Sequence, residues 1–440
     1  MIRTRAALPG TPAHETALAC LEAGIEAAHP SQVVRDAVSV DGSTLTIGDE
    51  THDLTAYDSV QVLGGGNAAA HVAAALEALL GERIDGGLVV TDDPVTTRRV
   101  DVREADHPIP SQRGVDSTRA LLEAARAADE STLVLAVITG GGSACMVAPA
   151  EGLSLADLQT TTDALLDSGA SIHEVNAVRK HCSTLKGGRL ARALAPARVS
   201  ALVLSDVVGN HLDVIASGPL VPDRSTYAEA LSVLESYDLS VPDAVRDRLT
   251  AGARGELPET PGPDDTAFDL VRTHLVGTTM TALDAARETA RERGYNTVIL
   301  SSRIRGAARD AALTPVAVAE ESLDTGNPVA PPAVVLSGGE TTVRVTGEGT
   351  GGPNQEFALA AGMDIPDDAV LASVDTDGID GNSEVAGAIV DGTTVSDRAE
   401  AKTALQRNDA HAYLTRRDAV IETGKTGTNV NDIHVLVVEE

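Results

Sequence analysis

Residues 133–159, LVLAVITGGGSACMVAPAEGLSLADLQ, and residues 202–223, LVLSDVVGNHLDVIASGPLVPD, decide the fold of this 440-residue chain. An apolar run that predicts a buried strand opens each stretch: Leu133–Ile138 in the first, and Ala201–Leu204, which starts one residue earlier, at the second. Each run then breaks into a loop of small and polar residues. A strand, a glycine turn and a helix start together present N–H groups to an anion, and a carboxylate ending a neighbouring strand suits a metal or a reacting hydroxyl. The pattern predicts an active-site scaffold. A glycine turn with a purely structural role is the alternative interpretation.

The composition describes a globular chain with an acidic charge balance. Hydrophobic residues make up 42% of the chain, and 65 acidic residues against 34 basic ones give a net charge of −31. The acids are spread over the whole length, so we interpret the charge as a surface property that suits a cytoplasm at very high salt, where screening removes self-repulsion. No basic stripe is present, which argues against a nucleic-acid partner.

The chain shows neither a membrane span nor a secretory signal. No apolar run reaches the roughly 20 residues that a bilayer requires, and the first residues lack an apolar signal core. The cysteines Cys20, Cys145 and Cys182 are odd in number and form no CxxC pair. This pattern favours a reducing cytoplasm, and it predicts that the three cysteines are buried as small hydrophobic residues.

A second glycine turn lies upstream, in SVQVLGGGNAAAHVAAALEALLG at residues 59–81. Gly64, Gly66 and Ala69 fit G-x-G-x-x-A, and Asp92 ends the next strand, where a ribose-binding acid belongs in a dinucleotide site. The pattern leaves three interpretations open: a nicotinamide site, another nucleotide or phosphate contact, or close packing of a helix on a strand.

Cationic and polar side chains are concentrated in IHEVNAVRKHCSTLKGGRLA, residues 172–191. Helical spacing predicts that Asn176, Lys180 and Ser183 share one face. Two of the chain's four lysines, Lys180 and Lys186, fall in this segment, as does Arg179. The segment predicts phosphate binding or, alternatively, a solvated helix face.

The remaining sequence predicts a second α/β domain. A stretch rich in proline, glycine and acid at residues 253–265 places the boundary between domains 1–262 and 263–440. Two late loops fail known motifs: residues 374–382, VDTDGIDGN, lack EF-hand spacing, and TGKTGTN has Ala419 where a P-loop needs glycine. Both stay candidate ligand loops at strand ends.

Seven blocks in the right order resemble the class II glycerate kinases, the MOFRL-containing family that also carries the name hydroxypyruvate reductase. The resemblance runs from about Ala13 to Val437. The blocks are GGGSACMVAPAEGLSLADLQ (140–159), NAVRKHCSTLKGGRLA (176–191), SDVVGNHLDVIASGPLVPD (205–223), LSGGETTV (336–343), GGPNQEF (351–357), DTDGIDG (375–381) and TGTNVND (426–432).

The resemblance implies an α/β fold of two domains. One is a Rossmann-like N-terminal sandwich, and the other is a smaller C-terminal domain with the MOFRL segment at about 332–436, with ligands in the cleft between them. It implies transfer of the γ-phosphoryl group of ATP to D-glycerate, usually at the C2 hydroxyl, with Mg²⁺. The expected partners are this small-molecule substrate and the nucleotide, with no nucleic acid or membrane, in a monomer or homodimer.

The resemblance and the motifs together give the candidate site residues. The expected catalytic residues are Asp206, Lys180, Arg179 and Lys186. The expected nucleotide- and phosphate-binding residues are Gly64, Gly65, Gly66, Asn67, Gly140, Gly141, Gly142 and Ser143. The expected substrate-binding residues are His107, Asn176, Ser205, Asn354 and Glu340, and the expected metal ligands are Asp206 and Asp377.

Two departures from the family pattern bear on activity. Asn67 stands where many relatives have lysine, and Pro353 where many have arginine, so two cations are missing. The leading hypothesis is an ATP-dependent glycerate 2-kinase. The alternatives are an NAD(P)-dependent reductase of hydroxypyruvate or a similar 2-oxo acid, and a non-catalytic sensor of a phosphorylated ligand.

Overall fold

The computed structural model describes residues 1–439, which form two compact units. We call Val33–Val276 the central unit, and Met1–Gln32 together with Gly277–Glu440 the terminal unit. Each has its own sheet with helices packed on it, so the predicted α/β class with two domains is confirmed.

Fifteen strands form three sheets within residues 1–439. They are β1 Val38–Asp41, β2 Thr44–Ile47, β3 Glu50–Asp53, β4 Ser59–Gly65, β5 Gly86–Thr91, β6 Asp101–Glu104, β7 Thr132–Ile138, β8 Arg198–Leu204, β9 Val271–Gly277, β10 Asn296–Ala307, β11 Ala333–Thr342, β12 Ala369–Asp375, β13 Gly387–Asp391, β14 Val420–Ile421 and β15 Asp432–Val438.

Sixteen α-helices accompany these strands in the described part of the chain. They are α1 Pro12–Ala28, α2 Pro30–Ala37, α3 Ala69–Leu80, α4 Gln112–Ala127, α5 Gly142–Cys145, α6 Leu155–Asp167, α7 Ile172–His181, α8 Arg189–Leu194, α9 Tyr227–Ser236, α10 Asp243–Ala253, α11 Thr279–Glu292, α12 Ala308–Ala311, α13 Leu313–Thr325, α14 Pro353–Gly362, α15 Arg398–Gln406 and α16 Ala410–Thr415.

The main sheet of the central unit has the strand order β6-β5-β4-β7-β8-β9. The pairs from β6 to β8 are parallel, and Gly65 lies opposite Ile138, which lies opposite Val203. β7 is buried along its whole length, as an apolar run in a covered parallel sheet requires. The loops that follow β4, β7 and β8 therefore leave the sheet side by side at its carboxyl edge.

Local signals in the sequence set several helix starts. Ser154 accepts a hydrogen bond from the N–H of Asp157, whose carboxylate returns one to Ser154, and this capping box begins α6. The segment that precedes β4 forms the antiparallel sheet β1-β2-β3.

All three cysteines are buried and unpaired, as predicted, and burial raises the pKa of each thiol to about 12.

The sheet of the terminal unit has the order β10-β11-β15-β12-β13-β14. β10 and β11 are parallel, whereas the remaining pairs are antiparallel. β15 lies between β11 and β12 and is buried at every residue, so the C-terminal strand is central to this sheet. The loops after β12 and before β15 approach each other because these two strands are antiparallel neighbours.

The observed units differ from the predicted domains 1–262 and 263–440. α1 precedes the central unit in sequence but packs on α11 and β15 in the terminal unit. β9, which lies beyond the predicted boundary, is the edge strand of the central sheet. Both differences arise from non-local packing, whereas the proline-rich stretch marks only a local break in regular structure. Within residues 1–439, no helix is both long and apolar enough to cross a bilayer.

Candidate active site

Three loops meet at the carboxyl edge of the central sheet. The Asn67 N–H donates to the Gly140 carbonyl oxygen over 2.8 Å, and the Thr139 N–H donates to the Gly65 carbonyl oxygen over 3.2 Å. The carboxylate of Asp206 lies directly against the Cα atom of Gly140. The structure thus brings the predicted glycine turn and the predicted catalytic carboxylate together.

The glycines of the β7 turn are required by these close approaches. A β-carbon on Gly140 would overlap the carboxylate of Asp206, and one on Gly141 would overlap the amide of Asn67. Gly141 also has a φ of +71°, the left-handed region that favours glycine. Asn67, Gly141, Ser143 and Asp206 are all half-buried, so they are the parts of this edge that a ligand can reach.

The upstream glycines are mainly structural. Gly64 and Gly65 lie inside β4 and are buried, rather than in a turn. A β-carbon on Gly64 would overlap the backbone of Val137 in β7, so glycine permits close strand contact here. The Ala68 N–H at the start of α3 donates to Thr139 Oγ1 over 3.2 Å. The phosphate role of Gly64, Gly65 and Gly66 therefore stays a prediction.

Asp92 follows β5, as the dinucleotide pattern predicted. Its Oδ1 atom is buried with no hydrogen-bond partner among residues 1–439. A buried acceptor without a donor is uncommon, and a ligand hydroxyl would satisfy it. The observation fits ribose of any nucleotide and does not by itself favour a nicotinamide cofactor.

A chain of hydrogen bonds joins α7 to the glycine turn. Ser217 Oγ donates to Asn176 Oδ1 over 2.8 Å and lies 2.7 Å from Ser143 Oγ. Ala216 and Ser217 have φ values of 50° and 60°, strained for side-chain-bearing residues. Asn176 is 2% exposed, and its Nδ2 atom has no partner within residues 1–439. The predicted substrate residue Asn176 therefore lies beside the predicted phosphate residue Ser143.

Lys186 holds the glycine turn through hydrogen bonds to its backbone. Its Nζ atom donates to the carbonyl oxygens of Ser143, over 2.8 Å, and Met146, over 3.1 Å. Burial, with a smaller contribution from the positive charge of Arg179, lowers the pKa of Lys186 to about 7. This lysine is 6% exposed, and its two hydrogen bonds to backbone carbonyl oxygens position the turn.

We expect Lys186 to make stability depend on pH. In the unfolded chain a lysine titrates near pH 10.4, so between about pH 7 and that value the unfolded state binds more protons than the folded state. The free energy of unfolding of the wild type therefore rises with pH across this window, relative to Lys186→Met, and the two curves run parallel below it. Urea unfolding at several pH values measures this difference, and parallel curves throughout would contradict it.

Arg179 is a half-buried cation on α7. Burial alone lowers the pKa of its guanidinium, and within residues 1–439 no neighbouring carboxylate opposes that shift. Its charge acts on Lys186, which holds the glycine turn. Buried charges are usually paired, so a guanidinium without a carboxylate near Lys186 is available to an anion from outside.

Lys180 has a different environment from the one predicted. Its Nζ atom forms a buried ion pair with Asp223 Oδ1 at 3.0 Å. Burial acts to raise the pKa of Asp223, but Lys180 and the hydrogen bonds from Ser225 outweigh it, so the net pKa is lowered. α7 ends at His181, so Ser183 is not on its face and instead accepts hydrogen bonds from the N–H groups of the next turn. The structure thus gives Lys180 a partner inside the protein.

Two predicted substrate residues of the central unit are not part of this cluster. His107 is exposed in the loop after β6 and precedes a cis proline. Ser205 is buried, and its hydroxyl accepts from the Val207 N–H over 3.2 Å, which shapes the turn that carries Asp206. Their predicted contacts with substrate stay predictions.

A buried polar network in the terminal unit surrounds Asn354 at the start of α14. Asn354 Nδ2 donates to Asp432 Oδ1 over 2.6 Å, and its Oδ1 atom accepts from Ser373 Oγ, also over 2.6 Å. Asp380 accepts from the N–H groups of Asn354 and Gln355, each over 2.9 Å, and so caps this helix. Asn354 is 0% exposed and its amide is engaged inside the unit. Its predicted contact with substrate stays a prediction.

Burial raises the pKa of two carboxylates near this network, Asp375 and Asp432. Burial, followed by the negative charges of Asp377 and Asp432, raises the pKa of Asp375 well above its usual value. Burial also raises the pKa of Asp432, to about 7. Asp377 is half-buried, and its Oδ1 atom accepts from the Ile379 N–H over 2.8 Å. Glu340 is exposed near the end of β11.

No preformed metal site exists among residues 1–439. No group of three His, Cys, Asp or Glu side chains there has ligand geometry. Mg²⁺ nevertheless needs only one or two carboxylates when phosphate oxygens and water complete its octahedron. Within the central unit the half-buried Asp206 fits that donor set, and within the terminal unit the half-buried Asp377 is a carboxylate of the same kind.

Comparison with known proteins agrees with this geometry. A domain of unknown function, DUF4147, matches residues 16–250, and the MOFRL family matches residues 333–432. The chain is 38% identical to the glycerate 2-kinase of Pyrococcus horikoshii over 96% of this chain and 97% of that one. It is also 38% identical to the D-glycerate 2-kinase of Thermotoga maritima, over 95% of this chain and 96% of that one. The chain belongs to the glycerate 2-kinase family.

Solved structures agree with that membership. The crystal structure of a glycerate kinase from Thermotoga maritima matches with a TM-score of 0.83 at 37% identity, covering 96% of this chain and 99% of that chain. The predicted MOFRL segment at about 332–436 agrees with the matched residues 333–432. The resemblance read from the seven blocks is therefore confirmed.

The two departures from the family pattern have local structural explanations. Pro353 is the first residue of α14, where its fixed φ and missing N–H suit a helix start. Asn67 lies with its amide against Gly141 and accepts a weak hydrogen bond from the Cys145 thiol at 3.7 Å. Asn67 and Pro353 thus fit their positions, although neither has the positive charge of the lysine or arginine found in many relatives.

Sequence reasoning missed three residues that the structure places in the polar clusters of the two units. Ser217 joins Asn176 to Ser143, yet within the block ASGPL it reads only as a turn residue. Asp223 could have been suspected, because an acid that ends the block LVPD after an apolar stretch requires a partner when buried. Asp432 gave a similar signal, as an acid at the first residue of the otherwise apolar strand β15.

Proposed function

We propose that this protein transfers the γ-phosphoryl group of ATP to the C2 hydroxyl of D-glycerate, with Mg²⁺, to give 2-phosphoglycerate. The observation that carries the proposal is the contact of the Asp206 carboxylate with Gly140 at the shared carboxyl edge of β4, β7 and β8. Support comes from the relatives, whose names are glycerate 2-kinase over nearly the whole chain.

The proposed reaction is an in-line displacement. The C2 oxygen attacks the γ-phosphorus, a new oxygen–phosphorus bond forms, and the bond to the β–γ bridging oxygen breaks to release ADP. The proton of the attacking hydroxyl passes to Asp206, whose half-buried carboxylate accepts it. Bound Mg²⁺ would supply charge neutralisation on the phosphates. Asp206 is the residue of the central unit that would hold it, and Asp377 stays a predicted ligand in the terminal unit.

The remaining residues of the proposed site position the reactants. Gly141 and Ser143 form the accessible surface of the turn, which Lys186 fixes by its two hydrogen bonds to backbone carbonyls. Such fixed polar groups need no reorganisation during phosphoryl transfer, and they lower its barrier. Asn67 and Gly66 border the same surface from the neighbouring strand.

A coupled assay with ATP, Mg²⁺ and D-glycerate tests the proposal. We expect formation of ADP only when glycerate is present, with phosphorus NMR placing the phosphate on C2. A parallel assay with NADH and hydroxypyruvate tests the reductase alternative, since oxidation of NADH there would replace the kinase assignment. A folded protein that is silent in both assays would favour the sensor alternative.

We also propose that the protein works in a cytoplasm at high salt. Its net charge of −31 creates self-repulsion, and the Debye length falls from about 10 Å at 0.1 M salt to about 3 Å at 1 M. We expect both the kinase rate and the thermal midpoint to rise between these two concentrations of KCl. A rate and midpoint that fall or stay constant would contradict salt adaptation.

A further inference from the structure

One face of α7 lies against the proposed catalytic loops. Asn176 and Arg179 are three residues apart on this helix and therefore neighbours on its surface. The hydrogen bonds from Asn176 through Ser217 to Ser143 fix this face beside the glycine turn. His173, one turn earlier, contacts the ring of His211 in the loop that carries Asp206, with centroids 5.9 Å apart.

Two polar groups on this face lack partners. Asn176 Nδ2 is buried without a hydrogen bond to any residue of 1–439. Burial alone shifts the pKa of Arg179, so no described carboxylate neutralises its guanidinium. A chain with 65 acidic and 34 basic residues has carboxylates in excess, and one of them could have served here. The unpaired donors point instead to an anion that comes from outside the protein.

We propose that Arg179 and Asn176 bind the carboxylate of the hydroxy-acid substrate. The proposal rests on the glycerate kinase function and names the part of the substrate that this face recognises. A planar guanidinium binds a carboxylate through two parallel hydrogen bonds, and the free amide N–H of Asn176 supplies a further donor.

The charge of the face favours a carboxylate over a nucleotide phosphate. Lys186 donates hydrogen bonds to the carbonyl oxygens of Ser143 and Met146, and it is only 6% exposed. The charge of Lys180 is neutralised by Asp223. Arg179 therefore contributes a single available positive charge. One charge matches a monovalent carboxylate, whereas a polyphosphate carries several negative charges. Ser143 and Asp206, next along the same edge, are then placed for the hydroxyl groups of the acid.

Steady-state kinetics of Arg179→Gln in the full chain test this assignment. Hydrogen bonds to charged groups contribute about 1.5–3 kcal/mol, so we expect the KM for glycerate to rise by about 10- to 100-fold. The KM for ATP stays within twofold of the wild type. Arg179→Lys keeps the positive charge but loses the two parallel N–H donors of the guanidinium, and we expect an intermediate KM for glycerate. Arg126→Gln, which removes an exposed arginine of α4, is the matched control and keeps both constants.

A neutral analogue separates recognition of the carboxylate from a structural role. We expect the wild type to prefer glycerate strongly over glyceramide, and Arg179→Gln to lose most of that preference. A rise in the KM for ATP alone would assign Arg179 to the nucleotide and overturn the proposal. Unchanged constants and an unchanged preference would overturn it equally.

Calorimetric titration with D-glycerate, in the presence of a non-hydrolysable ATP analogue, distinguishes failure of this inference from failure of the function. Binding that depends on Arg179 in a protein without turnover would sustain the carboxylate site and reject the kinase. Turnover that does not change when Arg179 is replaced would reject the carboxylate site and leave the kinase function in place. Absence of both binding and turnover in the wild type would reject both.

Discussion

Replacement of Asp206 by asparagine is expected to lower the rate of glycerate phosphorylation by about 10²- to 10⁴-fold, the range typical of a lost general base. The amide is nearly isosteric with the carboxylate, so it can occupy the same place against Gly140. It cannot accept the proton of the attacking hydroxyl, and it is a weaker ligand for Mg²⁺. We expect a lower kcat with an unchanged thermal midpoint.

A control variant makes this result specific. Asp247→Asn changes an exposed carboxylate of α10 in the same unit and is expected to leave kcat unaltered. If Asp206→Asn retained a rate within a few-fold of the wild type, the reacting hydroxyl would need another base, and the proposed mechanism would fail.

The carboxyl edge was predictable from sequence because its signals are local. An apolar run followed by glycines defines where β7 ends, and a second run followed by Asp206 defines where β8 ends. Adjacent parallel strands end at the same edge, so these loops meet once the strand order is right. The capping box of α6 was equally readable, since Ser154 and Asp157 lie three residues apart.

Features that depend on partners distant in sequence were not predictable. α1 joins the terminal unit through contacts with α11, more than 250 residues later, so its position in the chain was misleading. The hydrogen bonds of Asn354 to Asp432 and Ser373 likewise join residues distant in sequence, and the sequence analysis did not predict them. A polar residue at a helix start has the same sequence signature whether its partners are a ligand or buried side chains.

Lys180 shows this limit most sharply. Helical spacing put it beside Asn176, and its rarity in the chain suggested a phosphate ligand. Its partner Asp223 lies 43 residues away, and together they form an ion pair whose two side chains are 5% and 1% exposed. Removing one partner of such a pair leaves the other charge buried and uncompensated.

We therefore expect Lys180→Ala to lower the free energy of unfolding by about 3–5 kcal/mol, measured by urea denaturation. The double variant Lys180→Met with Asp223→Leu removes both charges and is expected to recover much of that loss. Lys402→Ala, at an exposed position of α15, is the control lysine variant and leaves stability within about 0.5 kcal/mol.

The two roles of Lys180 predict opposite combinations of results. A structural lysine gives an unstable single variant and a double variant whose stability returns along with measurable kinase activity. A phosphate-binding lysine gives a single variant of normal stability with a low kcat, and the double variant cannot restore that rate because the cation stays absent. The recovery in the double variant decides between them, since only repair of the Asp223 environment can produce it.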